Sequence, residues 1–361
     1  MSIRVLKNLV FVTLPSILFC FVLCELFFRY VITACEAPYV YFDSFDQILR
    51  YDINDGKEGI YTIGKFAKGR AKWRINNYGW NSKIDYVPRL EKNKPLIAII
   101  GDSYIEAFQV SVEDNIAAIL QGLVKNEYDA YSFGMSGAPL SQYLQMSRYV
   151  NRHFGPEVIV FNIIHNDFDE SIRDLNNKPY FLQIGYDSER FFELPIYPYK
   201  PNAIRRILGR SALIRYFYIN LQITEIVTNL TNERRNSDFN ANIDVNEAMG
   251  NCEIIKNSTF FLIRKIKEEN PRKVLIFMID APRQDIYSGT IHNSNVLWLH
   301  RILEEACAQY NCHFIDLTVP FSKKFGETGV KFNSDYDYHW NELGHGLAAR
   351  ALYERLVALE Y

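Results

Sequence analysis

The sequence lacks an excess of charge of either sign. Its 361 residues include 40 lysines and arginines and 42 aspartates and glutamates, so the formal net charge at pH 7 is -2. Nucleic-acid-binding domains are usually basic or carry a clustered basic patch. The charge balance therefore predicts no nucleic-acid partner.

Cysteine is scarce, and its spacing excludes the common zinc sites. The six cysteines form no Cys-x-x-Cys pair and no cluster with histidine, whereas structural zinc sites need such pairs. No metal and no cofactor is therefore predicted. Cys307 and Cys312 are spaced for a disulfide bridge, but Cys252 can pair with either of them, and spacing alone does not decide the connectivity.

Long apolar stretches are confined to the N-terminus, where residues 9–24 follow Arg4 and Lys7. Positive charge before a membrane span keeps that end in the cytoplasm and places the rest of the chain outside. We therefore predict that residues 1–33 form an uncleaved signal anchor. Two alternatives are lipoprotein processing at Cys35, indicated by Ile32-Thr33-Ala34-Cys35, and cleavage of the segment as a signal peptide.

Short aromatic segments follow the anchor, at residues 39–41, 59–64 and 72–80. They are broken by turns and have no long helical period, which is typical of short strands. Residues 34–93 are therefore predicted to form a small β-rich lead-in that packs on the following domain.

From residue 94 onwards, apolar strands alternate with amphipathic helices. Such alternation favours a mostly parallel sheet with helices on both faces, so we predict an α/β fold, a three-layer flavodoxin-like sandwich with a central five-stranded sheet. The predicted strands are residues 96–100, 130–133, 158–164, 273–279 and 312–317, and the clearest helices are 113–124, 140–150 and 341–357.

The alternation fails between about residues 170 and 250, which indicates an insertion. Residues 180–184 and 190–194 flank Gly185-Tyr186-Asp187 and predict a hairpin. Residues 202–228 predict one long helix whose arginines form a solvated face or an anion site. Residues 229–246 are polar and rich in asparagine, which predicts a loop.

Candidate catalytic residues lie at opposite ends of this domain. Asp102 and Ser103 come directly after the first predicted strand, where open α/β sheets usually bind ligands. Asp337-Tyr338-His339 supplies an imidazole that can take the proton of the Ser103 hydroxyl and a carboxylate that can orient the ring. Asp335 is the alternative acid.

These two segments resemble the first and last blocks of the SGNH (GDSL-type) hydrolases, of the membrane-anchored extracytoplasmic kind. The two middle blocks are present in order, at residues 132–137 and 163–167, although Ile164 replaces the usual glycine. The resemblance extends over residues 94–361, apart from the insertion.

The resemblance implies a serine esterase with Ser103, His339 and Asp337 as its triad. The Ser103 amide, the Gly137 amide and the Asn166 side chain would form the oxyanion hole, with Asp102 and Asp167 in supporting roles. The expected substrates are O-acyl groups, acetyl above all, on extracytoplasmic glycans. Two alternatives are an O-acyltransferase that modifies a cell-envelope polysaccharide and a non-catalytic glycan-binding module.

Overall fold

The computed structural model describes residues 7–54, 56–125, 127–187, 190–223 and 239–361. The chain forms two compact units. The first comprises Met1–Ala37, Ile60–Ala71 and Pro201–Glu233, and the second comprises Pro38–Gly59, Lys72–Lys200 and Arg234–Tyr361. The boundaries of anchor, lead-in and hydrolase domain given above stay a prediction.

The strands of the described residues are numbered in chain order. They are β1 (Val40–Asp43), β2 (Ile48–Tyr51), β3 (Glu58–Ile63), β4 (Gly69–Arg74), β5 (Leu96–Gly101), β6 (Asp129–Gly134), β7 (Val158–Ile163), β8 (Ile184–Tyr186), β9 (Phe191–Glu193), β10 (Phe239–Asn240), β11 (Ile243–Asp244), β12 (Val274–Ile279) and β13 (His313–Asp316).

The α-helices are numbered in the same way. They are α1 (Leu14–Tyr30), α2 (Ser103–Glu106), α3 (Ile116–Val124), α4 (Leu140–His153), α5 (Asp167–Glu170), α6 (Ala203–Leu208), α7 (Ala212–Arg215), α8 (Val245–Gly250), α9 (Cys252–Glu269), α10 (Arg283–Ser288), α11 (Leu297–Gln309), α12 (Thr318–Thr328) and α13 (Glu342–Ala358). A π-helical turn, Leu9–Thr13, precedes α1, and another, Tyr216–Asn220, continues α7.

The second unit is built on a five-stranded parallel sheet in the order β13-β12-β7-β5-β6. This is the flavodoxin-like order, in which the first strand lies between the second and the third. The prediction of an α/β fold with a central parallel sheet is confirmed, and each predicted strand end lies within one residue of the observed one. The strand ends could be predicted from the sequence because β5 and β7 are buried along their whole length. Parallel strands covered on both faces are apolar throughout, so each apolar run marks one strand.

Helices cover both faces of this sheet. On one face α3, α12 and α13 pack around a core that includes Ile97, Val160 and Met278. On the other face lie α4, α9 and α11. The helix predicted at residues 113–124 is α3, and its predicted start is wrong. The helix begins at Ile116, because Asn115 caps it by accepting a hydrogen bond from the Ala118 N–H.

The insertion differs from its prediction in three respects. The hairpin is present, but its first strand is β8 and not residues 180–184. The long helix is interrupted before Ser211, whose side chain caps the separate helix α7. Part of the predicted polar loop is ordered as the β10–β11 hairpin and α8, while its residues 229–238 and the end of the predicted helix, 224–228, lie outside the described residues.

In the first unit, α1 forms most of an apolar segment, Val10–Tyr30, which has 21 residues and a mean hydropathy of 2.3. Its length and composition suffice to cross a membrane, although a signal sequence near the N-terminus has the same properties. Arg4, part of the predicted orientation signal, lies outside the described residues. All six cysteines are free thiols, so none of the three disulfide pairings considered above is formed.

Candidate active site

The nucleophile candidate Ser103 opens α2 at the carboxyl end of β5. Asp102 caps this short helix by accepting a hydrogen bond from the Tyr104 N–H at 2.9 Å. Both flanking residues are buried, whereas Ser103 is partly exposed. The turn therefore presents one hydroxyl at the edge of the sheet.

Close packing of α2 on the sheet requires glycine at the end of the neighbouring strand. A Cβ atom on Gly134 would lie 1.9 Å from the Glu106 backbone nitrogen. Any larger residue at this position would push α2, and with it the serine, away from the sheet. Gly134 thus belongs to the site through packing and not through chemistry.

The structure brings Ser103 and His339 together across 236 positions of sequence. The His339 Nε2 atom lies 2.7 Å from the Ser103 Oγ atom, which is within the range of about 2.6–3.2 Å expected of a general base and its nucleophile. The His339 side chain is 24% exposed, so the pair is open to a substrate.

Asp337 is the acid that approaches the imidazole. Its Oδ2 atom lies 3.1 Å from His339 Nδ1, although the ring N–H is poorly aligned as a hydrogen-bond donor, and its Oδ1 atom accepts the His339 backbone N–H at 3.0 Å. Gln109 Nε2 donates a further bond of 3.3 Å to Oδ2. Asp335, the alternative acid, is exposed and has no hydrogen bond to His339 within the described part of the chain.

Asp337 and His339 shift each other's pKa in the directions that favour an ion pair. Burial lowers the pKa of His339, but the close Asp337 carboxylate attracts the protonated ring and outweighs burial, so the pKa lies above its ordinary value. Burial raises the pKa of Asp337, and the His339 ring outweighs that effect and leaves the pKa below its ordinary value. The acid thus stays ionised while the imidazole gains basicity, as a proton acceptor for a hydroxyl requires.

Two backbone N–H groups predicted to hold an oxyanion have no acceptor in the described structure. The Ser103 and Gly137 N–H groups donate to no other described residue. The Asn166 side chain, the third predicted donor, has a buried Oδ1 atom without a hydrogen-bond partner among the described residues. Gly137 has a φ of 75°, a left-handed conformation that favours glycine, and its carbonyl accepts a hydrogen bond from Lys178 Nζ at 3.0 Å. Asn166 is partly exposed between buried residues.

Asp102 and Asp167 lie beneath these donors as buried carboxyls. Burial raises the pKa of Asp102 to about 6, and burial together with the charge of Asp102 raises the pKa of Asp167 well above its usual value. Asp167 accepts hydrogen bonds from Tyr143 Oη at 2.9 Å and from the Ile164 N–H at 2.8 Å. It therefore holds the turn that carries Asn166.

Arg283 was missed by the sequence reasoning. Its guanidinium is 8% exposed and donates to the Tyr104 hydroxyl at 2.6 Å, to the Tyr338 carbonyl and to Asp280 at 3.1 Å. Because Tyr104 follows the serine and Tyr338 precedes the histidine, this cation joins the two catalytic loops. Its position shortly after β12, at the same edge of the sheet as Ser103, was the one feature of the sequence that could have indicated it.

Glu106 was also missed. Its carboxyl accepts hydrogen bonds from the Tyr51 hydroxyl and from the Ser136 N–H at 3.0 Å. Burial raises its pKa to about 7. It thereby connects the nucleophile helix to the loop that carries Gly137.

A pair of buried histidines lies next to the site. His165, next to Asn166, shares a 2.9 Å hydrogen bond between Nε2 atoms with His300, whose Nδ1 lies 3.0 Å from Asp316. Burial lowers the pKa of His165 well below its usual value. No group of three or more His, Cys, Asp or Glu side chains in the described ranges is arranged to hold a metal ion.

Comparison with known proteins gives structural likeness only. No family model and no curated protein matches the chain. An acetyl xylan esterase, AlAXEase, aligns at 14% identity and a TM-score of 0.41 over 72% of this chain and 99% of its own. A member of the lipolytic protein G-D-S-L family from Veillonella parvula DSM 2008 aligns at 13% identity and 0.38 over 73% and 98%.

A lipase/acylhydrolase from Enterococcus faecalis aligns at 12% identity and a TM-score of 0.39, over 73% of this chain and 96% of its own. These solved structures include the G-D-S-L type that the four sequence blocks resemble. With identities this low, the chemistry of the site rests on the residues of this chain.

Proposed function

We propose that the protein is a serine esterase of the SGNH type, with Ser103 as nucleophile, His339 as general base and Asp337 as the orienting acid. The observation that carries the proposal is the 2.7 Å contact between Ser103 Oγ and His339 Nε2. A non-catalytic binding module has no need for an accessible hydroxyl paired with a basic imidazole.

In the first half of the reaction His339 takes the Ser103 proton as the oxygen attacks the ester carbonyl. The Ser103 and Gly137 amides and the Asn166 side chain then stabilise the negative oxygen of the tetrahedral intermediate. Removing one such donor typically costs about 10²–10³ in turnover. His339 returns the proton to the leaving alcohol, and an acyl group remains on Ser103.

In the second half a hydroxyl compound attacks the acyl-enzyme, again activated by His339. Water as the acceptor gives an esterase, and a sugar hydroxyl gives an O-acyltransferase. The partly exposed Ser103 and His339 leave room for either acceptor. The proposed reaction is hydrolysis.

We further propose that the substrates are acylated glycans outside the cytoplasm. The apolar Val10–Tyr30 helix supports a single membrane span, and Arg4 and Lys7 ahead of it favour a cytoplasmic N-terminus. The second unit would then face the periplasm or the cell surface, where polysaccharides carry ester-linked acetyl groups.

The test is hydrolysis of p-nitrophenyl acetate and of an acetylated xylan by the full-length protein in detergent. Ser103→Ala is expected to reduce turnover by about 10⁴–10⁶-fold, because triad members act as a unit. Ser288→Ala, a change at an exposed serine at the end of α10, is the matched control and should leave turnover unchanged. Equal turnover of Ser103→Ala and wild type would refute the proposal.

Acceptor choice needs a separate measurement. Acetate release is compared with transfer of labelled acetyl to a soluble oligosaccharide. Release in excess of transfer supports the esterase, whereas transfer in excess of release identifies an acyltransferase.

A further inference from the structure

Two segments of the first unit carry an unusual charge. They are residues 64–70, which run from the end of β3 into the start of β4, and residues 203–220, which contain α6, α7 and the following π-helical turn. We refer to them together as the collar. The collar contains seven lysines and arginines and no aspartate or glutamate, although the whole chain has a net charge of -2. Basic charge is therefore concentrated here.

The collar is attached to the outer end of the apolar helix α1. The Glu25 carboxylate caps α7, because it accepts hydrogen bonds from Ser211 Oγ at 2.8 Å and from the Ala212 N–H at 2.9 Å. Arg29 Nη2 donates to the Arg210 carbonyl at 3.0 Å. These contacts fix the collar at the level of residues 25–29 of the span.

Aromatic packing closes the same junction. The rings of Phe28 and Tyr216 stack with centroids 4.2 Å apart. The Tyr216 hydroxyl accepts a hydrogen bond of 3.1 Å from the Phe66 N–H, so both collar segments meet at this ring. Ala212, Tyr216 and Asn220 are buried and lie four residues apart, which places them on one inner face.

Large apolar side chains of the collar are exposed. Ile207 is 68% exposed, Phe217 41% and Phe66 69%. Phe66 also has a φ of 60°, in the left-handed region that bulky side chains rarely adopt. A strained backbone that presents an aromatic ring to the outside is the kind of outlier that points to function.

Depth along the span places this face at a membrane surface. The Val10–Tyr30 segment has 21 residues, and at about 1.5 Å per residue it is about as long as the hydrocarbon core is thick. Arg29 therefore lies at the outer edge of the hydrocarbon core and Glu25 about 6 Å deeper. The collar that they hold thus lies within the boundary of about 5–10 Å that interfacial segments enter. Exposed aromatic and aliphatic side chains among arginines are typical of segments that lie in the membrane interface.

We propose that the collar is a second membrane contact, which lies in the interface next to the span and binds anionic phospholipids. Ile207, Phe217 and Phe66 enter the boundary between headgroups and acyl chains. Exposed basic residues of the collar, such as Lys65, Lys68 and Arg210, pair with lipid phosphates. The proposal rests on α1 spanning the membrane and is independent of the reaction at Ser103.

The test uses the full-length protein in vesicles of phosphatidylcholine and phosphatidylglycerol whose acyl chains carry bromine, a contact quencher of tryptophan. Phe66→Trp and Phe217→Trp each place a reporter on the collar. We expect bromine to quench about half or more of the added emission, since interfacial side chains reach about 5–10 Å into this boundary. Phosphatidylcholine alone should give weaker quenching.

Phe192→Trp in β9 is the matched control, because Phe192 is 41% exposed, the same fraction as Phe217, and lies in the other unit. Leu18→Trp, near the middle of the Val10–Tyr30 segment, reports whether the span itself is inserted. Collar reporters quenched no more than Phe192→Trp, while Leu18→Trp is quenched, would refute the membrane contact.

Absence of quenching at Leu18→Trp would overturn the span and this proposal together, and would leave the esterase assay unaffected. A collar reporter that is shielded from aqueous iodide but not quenched by bromine, and that depends on protein concentration, would identify a second copy of the chain as the occupant. That result would also refute the proposal.

Discussion

Replacement of Arg283 tests how the two catalytic loops are held together. Arg283→Met keeps most of the side-chain volume and removes the cation. The Tyr104 hydroxyl and the Tyr338 carbonyl lose a shared donor, and the buried Asp280 carboxylate loses its partner at 3.1 Å. Removing one member of a buried ion pair typically costs about 3–5 kcal/mol, so unfolding should require less denaturant.

Activity should change in two measurable ways. Loss of the bridge loosens the serine and histidine loops, and a misplacement of about 1 Å can cost about 10²-fold in turnover. Arg283 also lowers the pKa of His339, so its removal raises that pKa further. Because the base must be unprotonated to act, the acidic limb of kcat/KM should move to higher pH.

The assay is the pH dependence of kcat/KM for p-nitrophenyl acetate, measured at temperatures where the variant is folded. Arg283→Lys is the conservative control, since lysine keeps the charge and part of the hydrogen bonding, and it should leave the acidic limb near its wild-type position. An Arg283→Met enzyme with a normal acidic limb and normal kcat would refute the reasoning.

Three further predictions concern the same site. Asp337→Asn should lower the pKa of His339 and reduce kcat by about 10³–10⁴-fold, whereas Asp335→Asn should leave the pH–rate profile unchanged; equal effects would show that Asp337 does not orient the ring. Gly134→Ala places a Cβ 1.9 Å from a backbone nitrogen, so chemical denaturation should show a loss of about 1–3 kcal/mol or more; wild-type stability would contradict the packing argument. The pKa of Glu106 is raised from 4.5 to about 7, so between these pH values the folded state binds a proton that the unfolded state has lost, and stability falls as pH rises through them. Glu106→Gln should make the melting temperature fall less steeply over this pH range. An unchanged slope would show that Glu106 does not cause the fall.

The sequence alone was enough to predict the scaffold. The strands of the central sheet are short apolar runs bounded by turns, and each can be recognised locally, because burial on both faces demands apolar residues at every position. The apolar N-terminal helix was also recognisable locally, since length and hydropathy are properties of one segment. The placement of Ser103 at the end of β5 followed from the strand itself.

Features made by long-range contact needed the tertiary structure. Which of Asp337 and Asp335 approaches His339 depends on the path of the loop, because the two acids are similar in local sequence. The interruption of the predicted long helix at Ser211 depends on Glu25, which lies 186 positions earlier in the chain. Nothing in the local sequence around Glu25 or Ser211 indicates that the two residues meet.

The same holds for Arg283 and the collar. The sequence does not distinguish an arginine that will be buried from one that will be exposed. Only folding brings Tyr104 and Tyr338 to the guanidinium of Arg283. The basic residues of the collar come from two segments more than 100 positions apart, so no sequence window contains both. Local periodicity decides which elements form, whereas the chemistry at their ends depends on which distant segments the packed core brings together.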